Sequence, residues 1–425
     1  MARPRVFPTG TDREPGGVTR VRSGPALTPL TVTLAFVLGY LVVGLVSLWG
    51  ASSAPPQSTV TESPWLNAWI RYDSDWYLGI AQHGYYFATD RQSPVAFFPA
   101  YPMLVRLLAP VLGGPELAGH LITVGCGLGS TLLFARWVRP RLGGSARWTS
   151  VAVLLLYPYA VFLYGAVYGD ALFLVCVLGA FTLLEGRRYW AAGLLAAVAT
   201  AGRPVGVAIA VGLVVRMLEL RAQDAATPDR PDGRPGPAVP TPPSAGPALG
   251  ALWRQVPALR ARHYLVLLSL GGIGGWCLWL WSTYGDPFAF LTAEATWAQG
   301  AGPKTWSKVA FFGALVKAPL SIRIVLLAQA VVTVLAVLTI RQVWRRFGWG
   351  YLAYCLVVLG IPVLGTKDFL GCGRYVIAAF PVLAAGAAWL ADSRRARWVR
   401  PVCLTVSGTG LLVASYYFGQ GILIS

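Results

Sequence analysis

The sequence predicts an all-α, polytopic integral membrane protein with about 11 transmembrane helices. Of its 425 residues, 56% are hydrophobic and 12% are charged, whereas soluble domains carry about 25% charged residues. Apolar runs of about 17–25 residues recur along the chain, and each is long enough to cross the hydrocarbon core. Basic residues concentrate in alternate loops, as in multi-pass proteins. This composition excludes a soluble globular enzyme and a disordered protein.

Most of the apolar runs are predicted to be single spanning helices, at 27–50, 115–137, 148–164, 167–185, 263–283, 321–340, 347–365, 374–391 and 400–420. The stretch 189–220 is also apolar, but Gly202-Arg203-Pro204 interrupts it. Pro cannot continue a helix, and Gly weakens one. We therefore predict a helical hairpin there, with Arg203 at its tip.

The basic residues also predict an orientation, with the N-terminus in the cytoplasm and the C-terminus outside. In this orientation 25 of the 35 Lys and Arg residues lie on the cytoplasmic side, as the positive-inside rule requires. The formal charge of +18 therefore reflects topology anchors and contact with membrane lipids, and no nucleic-acid partner is expected. The extracytoplasmic face of this cell-membrane protein carries 10 basic and 9 acidic residues, so its few charges are informative.

Two polar segments interrupt the membrane domain or precede it. Residues 1–26 form a basic cytoplasmic arm that we predict to be disordered. Residues 221–250 contain eight prolines and are predicted to be a disordered cytoplasmic linker. The remainder of 27–425 is one membrane domain with a long first extracytoplasmic loop at 51–114. The cytoplasmic loops contain no Gly-rich phosphate-binding motif, so a nucleotide-driven engine is not supported.

The first outer loop places two carboxylates among aromatic residues, within residues 69–85. Asp73 and Asp75 would project to one side of an extended segment, but not of a helix. Residues 74–82 are predicted to form a short interfacial helix, where Trp and Tyr prefer to lie. A carboxylate held there could act as a general base on a sugar hydroxyl. The alternative is that Asp73 or Ser74 only caps this helix.

A second aromatic segment follows in the same loop, Phe-Phe-Pro-Ala-Tyr-Pro at 97–102. Two prolines in an aromatic run indicate an interfacial element that dips toward the lipid. The alternative is a hydrophobic plug that packs against the helix bundle.

Three charged residues are predicted to lie at the outer ends of spanning helices: Asp170, Arg203 and Arg374. Ionisable groups at membrane depth are costly, so they are candidates for function. A guanidinium can hold a phosphate through two hydrogen bonds. The alternatives are that the arginines snorkel to the interface or pair with Asp170 structurally. In the loop 284–320, Asp286 is either a substrate contact or a residue that shapes a Gly-Asp-Pro turn.

In series, these motifs resemble the PIG-V family of mannosyltransferases in the GT-C superfamily. The resemblance rests on the acidic aromatic segment followed by Gly84-Tyr85, then 97–102, 168–173, 202–206, 285–287, and Arg374-Tyr375 before Phe380-Pro381. It covers roughly 65–385. It implies a GT-C-like fold and an inverting transferase that uses a polyprenyl-phosphate sugar donor, typically of mannose, and a lipid- or glycan-linked acceptor. Tyr72 stands where the family usually has Trp, and Asp170 where it has Glu.

The resemblance implies the catalytic residue, and the pattern of charged and aromatic residues supplies the other candidates. The catalytic aspartate corresponds to Asp73, with Asp75 as the alternative. Arg203 and Arg374 are expected to bind the donor phosphate. The substrate-binding candidates are His83, Tyr85, Asp170, Asp286 and Tyr375.

No cofactor is required by the sequence. The six cysteines and three histidines lack metal-ligand spacing, so neither a zinc site nor a disulfide framework is indicated. Asp73 and Asp75 could hold a divalent cation, but two carboxylates are too few to require one. The rival functional classes are a lipid or glycolipid transporter, which would also use intramembrane charges and a broken helix, and a non-catalytic scaffold.

Overall fold

The computed structural model describes residues 27–54, 60–226, 247–297, 302–392, 394 and 396–424. These residues form helices and connecting turns, and the described part of the chain contains no strand. The predicted arm at 1–26 and most of the predicted linker lie outside the described residues.

The helices of the first half are α1 Pro29–Ser53, α2 Pro64–Asn67, α3 Asp73–His83, α4 Ala100–Leu112, α5 Pro115–Val138, α6 Ser145–Leu155, α7 Val161–Tyr164, α8 Asp170–Glu185, α9 Tyr189–Thr200 and α10 Val207–Ala226. Those of the second half are α11 Leu249–Trp253, α12 Ala261–Tyr264, α13 Gly271–Tyr284, α14 Ala289–Ala295, α15 Pro303–Trp306, α16 Val309–Lys317, α17 Leu320–Phe347, α18 Trp349–Gly365, α19 Cys372–Ala378, α20 Phe380–Leu390 and α21 Val399–Gly419. Short 3₁₀ turns lie at Pro94–Ala96, Pro204–Gly206, Val256–Ala258 and Leu265–Leu270.

Within the described residues, five helical stretches are long and apolar enough to cross a membrane: α1, α5, Ala261–Tyr284, α17 and α21. α19 and α20 meet at a bend of 83°, and together they form a sixth span if the two helices are counted as one crossing. The all-helical fold class is confirmed, whereas the count of 11 crossings is not.

Two predicted single spans are broken in the structure. The span predicted at 148–164 ends at Leu155 and resumes at Val161, because Pro158 disfavours helical geometry at the residue before it. The span predicted at 374–391 bends between α19 and α20, next to Pro381. Pro381 lies in the first turn of α20, where its missing N–H costs no hydrogen bond. The predicted hairpin break is confirmed, since α9 ends at Thr200 and α10 begins at Val207.

α8 forms the centre of the bundle, and twelve of its sixteen residues are buried. It packs against α5, α9 and α10, while α10 packs along α18 and α1 along α21. The α10–α18 contact is close because of Gly350, where a Cβ would lie only 2.4 Å from Cβ of Arg216. This packing fixes the N-terminus of α8, and with it Asp170, at one end of the bundle.

The long segment between α1 and α5 folds back over that end of the bundle. α3 packs against α4 and α5. A small apolar cluster then joins the loop to α13 and α14; it consists of Val95, Phe98, Trp276, Leu280, Ala289, Phe290 and Ala293. The loop is therefore packed, and it covers the ends of α8 and α19.

Candidate functional site

Helix α3 begins at Asp73 because the chain reverses at the preceding residue. Tyr72 has φ 54°, a left-handed conformation that is uncommon for a bulky residue. The Asp73 N–H donates to the hydroxyl of Tyr168 at 3.1 Å, and that hydroxyl donates to the carbonyl of Arg71 at 3.1 Å. The Arg71 N–H donates to Oγ of Ser74 at 3.1 Å. These hydrogen bonds hold the backbone of Asp73 in place, so the position from which its side chain extends is fixed at the start of α3.

The carboxylate of Asp73 is bound by Arg374. Nη1 of Arg374 donates to Oδ2 of Asp73 at 3.2 Å, and Nε of Arg374 lies 3.8 Å from Oδ1 of Asp170. The side chain of Asp73 is 34% exposed, whereas that of Arg374 is 13% exposed. Asp73 is thus the open end of the arrangement, and it does not act as a side-chain cap of α3.

The backbone next to Arg374 is anchored on both sides. The N–H of Gly373 donates to Oε1 of Gln329 at 2.7 Å, and the hydroxyl of Tyr157 donates to the Gly373 carbonyl at 2.7 Å. The ring of Tyr159 also lies against Gly373, since a Cβ there would be 2.4 Å from Cε2 of that ring. Only glycine fits, and Arg374 is held in place at the start of α19.

Arg203 pairs with Asp170. Its Nη2 donates to Oδ2 of Asp170 at 2.6 Å, and the two side chains are 6% and 4% exposed. The sequence left open whether Arg203 snorkels to the interface or pairs with Asp170, and the structure contains the pair. A role of Arg203 in phosphate binding stays a prediction.

Asp73, Arg374, Asp170 and Arg203 form what we call the charged quartet. Two positive and two negative charges alternate along it. Aromatic rings surround the two guanidinium groups. Phe162 and Tyr168 lie 5.2 Å from that of Arg374, and Tyr375 lies 5.3 Å from that of Arg203. The Nε atom of Arg374 is buried without a hydrogen bond, and its ion-pair partner Oδ1 of Asp170 lies at 3.8 Å, beyond hydrogen-bond distance.

The other predicted site residues lie apart from the quartet or serve local structure. Asp75 is exposed on α3. Neighbouring residues still exclude part of the water around its carboxyl, and this desolvation raises its pKa. His83 is exposed at the other end of α3, about 15 Å along the helix from Asp73. Tyr85 donates its hydroxyl to the carbonyl of Phe97 at 3.0 Å. Asp286 accepts the N–H of Phe288 at 2.8 Å, which is the turn role that the sequence offered as an alternative.

The segment 97–102 packs inward. Phe98 is 2% exposed and packs against Trp276 and Phe290. Tyr101 is 1% exposed and donates its hydroxyl to the carbonyl of Gly119 at 2.8 Å. Of the two alternatives, this arrangement corresponds to a hydrophobic plug that packs against the helix bundle, and not to an element that dips toward the lipid.

Sequence reasoning gave no role to two residues that lie close to the quartet. Tyr168 joins α8 to the start of α3, and Glu294 interacts electrostatically with Tyr375. The signal for Tyr168 was its place directly before Gly169 and Asp170. For Glu294, the only sequence signal was its position three residues before Trp297, a pattern shared by many surface helices.

A large apolar groove lies beside the quartet, between α6, α17, α20 and α21. Its volume is about 970 Å³, and Tyr157, Tyr159 and Gly386 are among its lining residues. Tyr157 and Tyr159 also contact Gly373, so the groove wall adjoins the residue before Arg374. Over the described residues, no group of three or more His, Cys, Asp or Glu is placed to hold a metal ion.

Comparison with known proteins gives one partial sequence relative. No family model matches the chain. The chain is 35% identical over 163 residues to GPI alpha-1,6-mannosyltransferase 2 of Cricetulus griseus, a match that covers 35% of this chain and 31% of that protein. The chain thus spans about a third of the length of this relative.

Two solved structures are similar in architecture. The oligosaccharyltransferase of Archaeoglobus fulgidus in complex with Zn and sulfate has a TM-score of 0.43 and 12% identity, covering 91% of this chain and 53% of that chain. The apo form of the same enzyme has a TM-score of 0.41 and 12% identity, covering 91% and 56%.

Proposed function

We propose that this protein is a glycosyltransferase of the GT-C type that works at the outer face of the membrane. It transfers a sugar, mannose by resemblance, from a polyprenyl-phosphate donor to a hydroxyl of a lipid- or glycan-linked acceptor. The partial identity to a mannosyltransferase supports the reaction class. The observation that carries the proposal is the contact of a partly exposed carboxylate, Asp73, with a buried arginine, Arg374, whose Nε makes no hydrogen bond.

In this reaction Asp73 is the general base. The acceptor oxygen attacks the anomeric carbon from the face opposite the phosphate, and its proton passes to the Asp73 carboxylate. The bond between the anomeric carbon and the phosphate oxygen breaks, and the electron pair leaves with the polyprenyl phosphate. The configuration at the anomeric carbon is inverted. Asp73 is suited to this role because it is the most exposed member of the quartet.

The leaving phosphate is stabilised chiefly by Arg374. Preorganised positive charge is the largest common contribution to stabilising a developing anion. Nε of Arg374 makes no hydrogen bond and lies 3.8 Å from Asp170, whereas Nη2 of Arg203 donates to Asp170 at 2.6 Å. We therefore assign the phosphate contact first to Arg374, with Arg203 holding Asp170 beside it.

The polyprenyl tail of the donor lies in the apolar groove. The aromatic segment 97–102 is a poorer candidate for this contact, because it packs inward. Along α17 the groove lining runs from Ser321 to Gln342, which corresponds to about 32 Å of helix. This length matches the hydrocarbon thickness of about 30 Å. The groove is also large enough and apolar enough for isoprene units.

The test is sugar transfer by the purified protein in nanodiscs, from radiolabelled polyprenyl-phosphate mannose to octyl α-mannoside. Replacing a general base lowers the rate by about 10²–10⁴-fold. We expect this loss for Asp73→Asn and a rate near wild type for Asp75→Asn, the matched control two residues away. A rate near wild type for Asp73→Asn would contradict the assignment. Movement of donor between leaflets without any transfer would favour a transporter.

A further inference from the structure

Three aromatic residues meet beside the quartet, and we call them the aromatic recess: Trp76, Phe97 and Trp297. The rings of Trp76 and Phe97 are stacked, with centroids 5.6 Å apart and an interplanar angle of 16°. Trp297 places its ring edge-on to both, at 5.7 and 5.9 Å. The three residues come from three separate segments, and all three are only partly buried. Each ring therefore leaves part of its surface accessible.

The recess borders the proposed general base. Trp76 follows Asp73 by three residues on α3, and residues at this spacing share one face of a helix. Tyr77, the next residue, lies 5.3 Å from the ring of Phe97 and interacts electrostatically with all four members of the quartet. The same side of α3 therefore faces both the charges and the aromatic rings.

A carboxylate lies one helical turn before Trp297. The N–H of Trp297 donates to the carbonyl of Glu294 at 3.1 Å, so one turn brings these residues side by side. Among the residues that the structure describes, the Glu294 carboxylate has no hydrogen bond and no ion pair. It interacts electrostatically with Tyr375, whose ring lies 5.3 Å from the guanidinium of Arg203. Glu294 is therefore in the same region as both the recess and the Arg203 end of the quartet.

A pyranose ring has the shape and chemistry that this arrangement would bind. One of its faces is made of C–H groups, which pack on the electron-rich face of an aromatic ring. Its edge carries hydroxyls, which form strong hydrogen bonds to a carboxylate.

We infer that the aromatic recess and Glu294 bind the pyranose ring of the acceptor and present its hydroxyl to Asp73. The identification of the bound sugar as the acceptor rests on the proposed function. The binding of a sugar ring can nevertheless be measured without any transfer. Trp76, Phe97 and Trp297 hold the ring, and Glu294 accepts hydrogen bonds from its hydroxyls.

The experiment is saturation-transfer NMR of methyl α-mannoside with the full-length protein in nanodiscs. The expected result is transfer to the ring protons on the C–H face of the sugar. Trp297→Ala and Trp76→Ala should weaken binding about tenfold, and Trp297→Phe should restore most of it. Glu294→Gln should weaken binding less than the tryptophan changes. The matched control is Trp306→Ala, which removes a tryptophan that is 55% exposed in the same outer region.

The outcomes separate the two proposals. Equal binding by wild type and Trp297→Ala, or no binding by wild type, overturns the inference whatever the transfer assay gives. Binding that depends on Trp297, with no transfer from any polyprenyl-phosphate donor, supports the recess as a sugar site and contradicts the proposed reaction. A raised KM for octyl α-mannoside in Trp297→Ala, with unchanged donor affinity, supports the acceptor assignment. A loss of donor affinity alone would show that the ring bound here is the donor sugar.

Discussion

Arg374 and Asp73 are 301 positions apart in the sequence, yet Nη1 of Arg374 donates to Oδ2 of Asp73 at 3.2 Å. This contact joins the start of α3 to the short helix α19. The same guanidinium lies 3.8 Å from Asp170, so it is shared between two carboxylates. A group that binds Arg374 therefore changes the environment of Asp73 directly.

Replacing Arg374 with lysine should weaken donor binding. A lysine keeps the positive charge but loses the planar fork that binds phosphate through two hydrogen bonds. Hydrogen bonds to charged groups contribute about 1.5–3 kcal/mol, so we expect a ten- to hundredfold loss of affinity for polyprenyl-phosphate mannose. Binding is measured with the labelled donor in nanodiscs. The control is Arg106→Lys, an exposed arginine of α4. Unchanged affinity in Arg374→Lys would remove this residue from the phosphate site.

Breaking the buried Arg203–Asp170 pair should destabilise the fold. Asp170→Asn leaves the guanidinium of Arg203 without its countercharge at a site where both side chains are less than 10% exposed. Loss of one partner of a buried pair costs about 3–5 kcal/mol. The control is Asp224→Asn, which breaks an ion pair with Arg187 whose side chains are 36% and 62% exposed. That change should cost about 0–1 kcal/mol. Thermal unfolding in nanodiscs compares the two, and equal effects would mean that the buried pair adds little.

Glu294 should make stability depend on pH. Burial raises its pKa from 4.5 to about 7, so between these values the folded protein retains a proton that the unfolded chain has lost. The contribution of this group to the free energy of unfolding therefore falls as the pH rises from 4.5 to 7 and is constant above that. Glu294→Gln removes the effect, so its Tm relative to wild type should be higher at pH 8 than at pH 5.

The control for this measurement is Glu62→Gln, which removes an exposed carboxylate just before α2. Subtracting its pH profile isolates the part caused by the burial of Glu294. A Tm difference for Glu294→Gln that is the same at pH 5 and pH 8 would show that this carboxyl is well solvated.

Filling the apolar groove should select against long donor tails. Gly386 lines the groove, and a Cβ there would have no atom within 4 Å, so Gly386→Phe places a ring in open space. We expect a raised KM for a donor of about eleven isoprene units and little change for a two-isoprene analogue. Gly360→Phe is the control, because Gly360 is equally open on α18 but is not a lining residue. An equal effect on both donors would place the tail elsewhere.

The sequence predicts local breaks well and distant pairings poorly. The hairpin at Arg203 was readable because Gly and Pro act on their own backbone, whatever surrounds them. Pro158 carries the same signal, but the apolar residues around it suggested one continuous span. The pairing of Arg203 with Asp170 depends on how α8 and α10 pack, which no local pattern encodes.

Glu294 shows the same limit within the candidate site. Its raised pKa comes from burial that distant parts of the chain provide, including the turn at Pro94–Ala96 that packs against α14. The pattern of polar and apolar residues in 284–297 does not show that Glu294 is buried or which residues lie near it. By contrast, Asp73 can be singled out from its neighbours alone, since an aspartate among several aromatic residues is unusual by itself.

The alternating charges of the quartet cancel, and this affects how a substrate arrives. A cleft with net charge accelerates capture by attracting oppositely charged molecules over long distances. A neutral quartet exerts little such attraction, so on this mechanism the encounter is governed by lateral diffusion of the lipid within the bilayer. Turnover would then follow the surface density of donor in the membrane and respond weakly to the ionic strength of the surrounding solution.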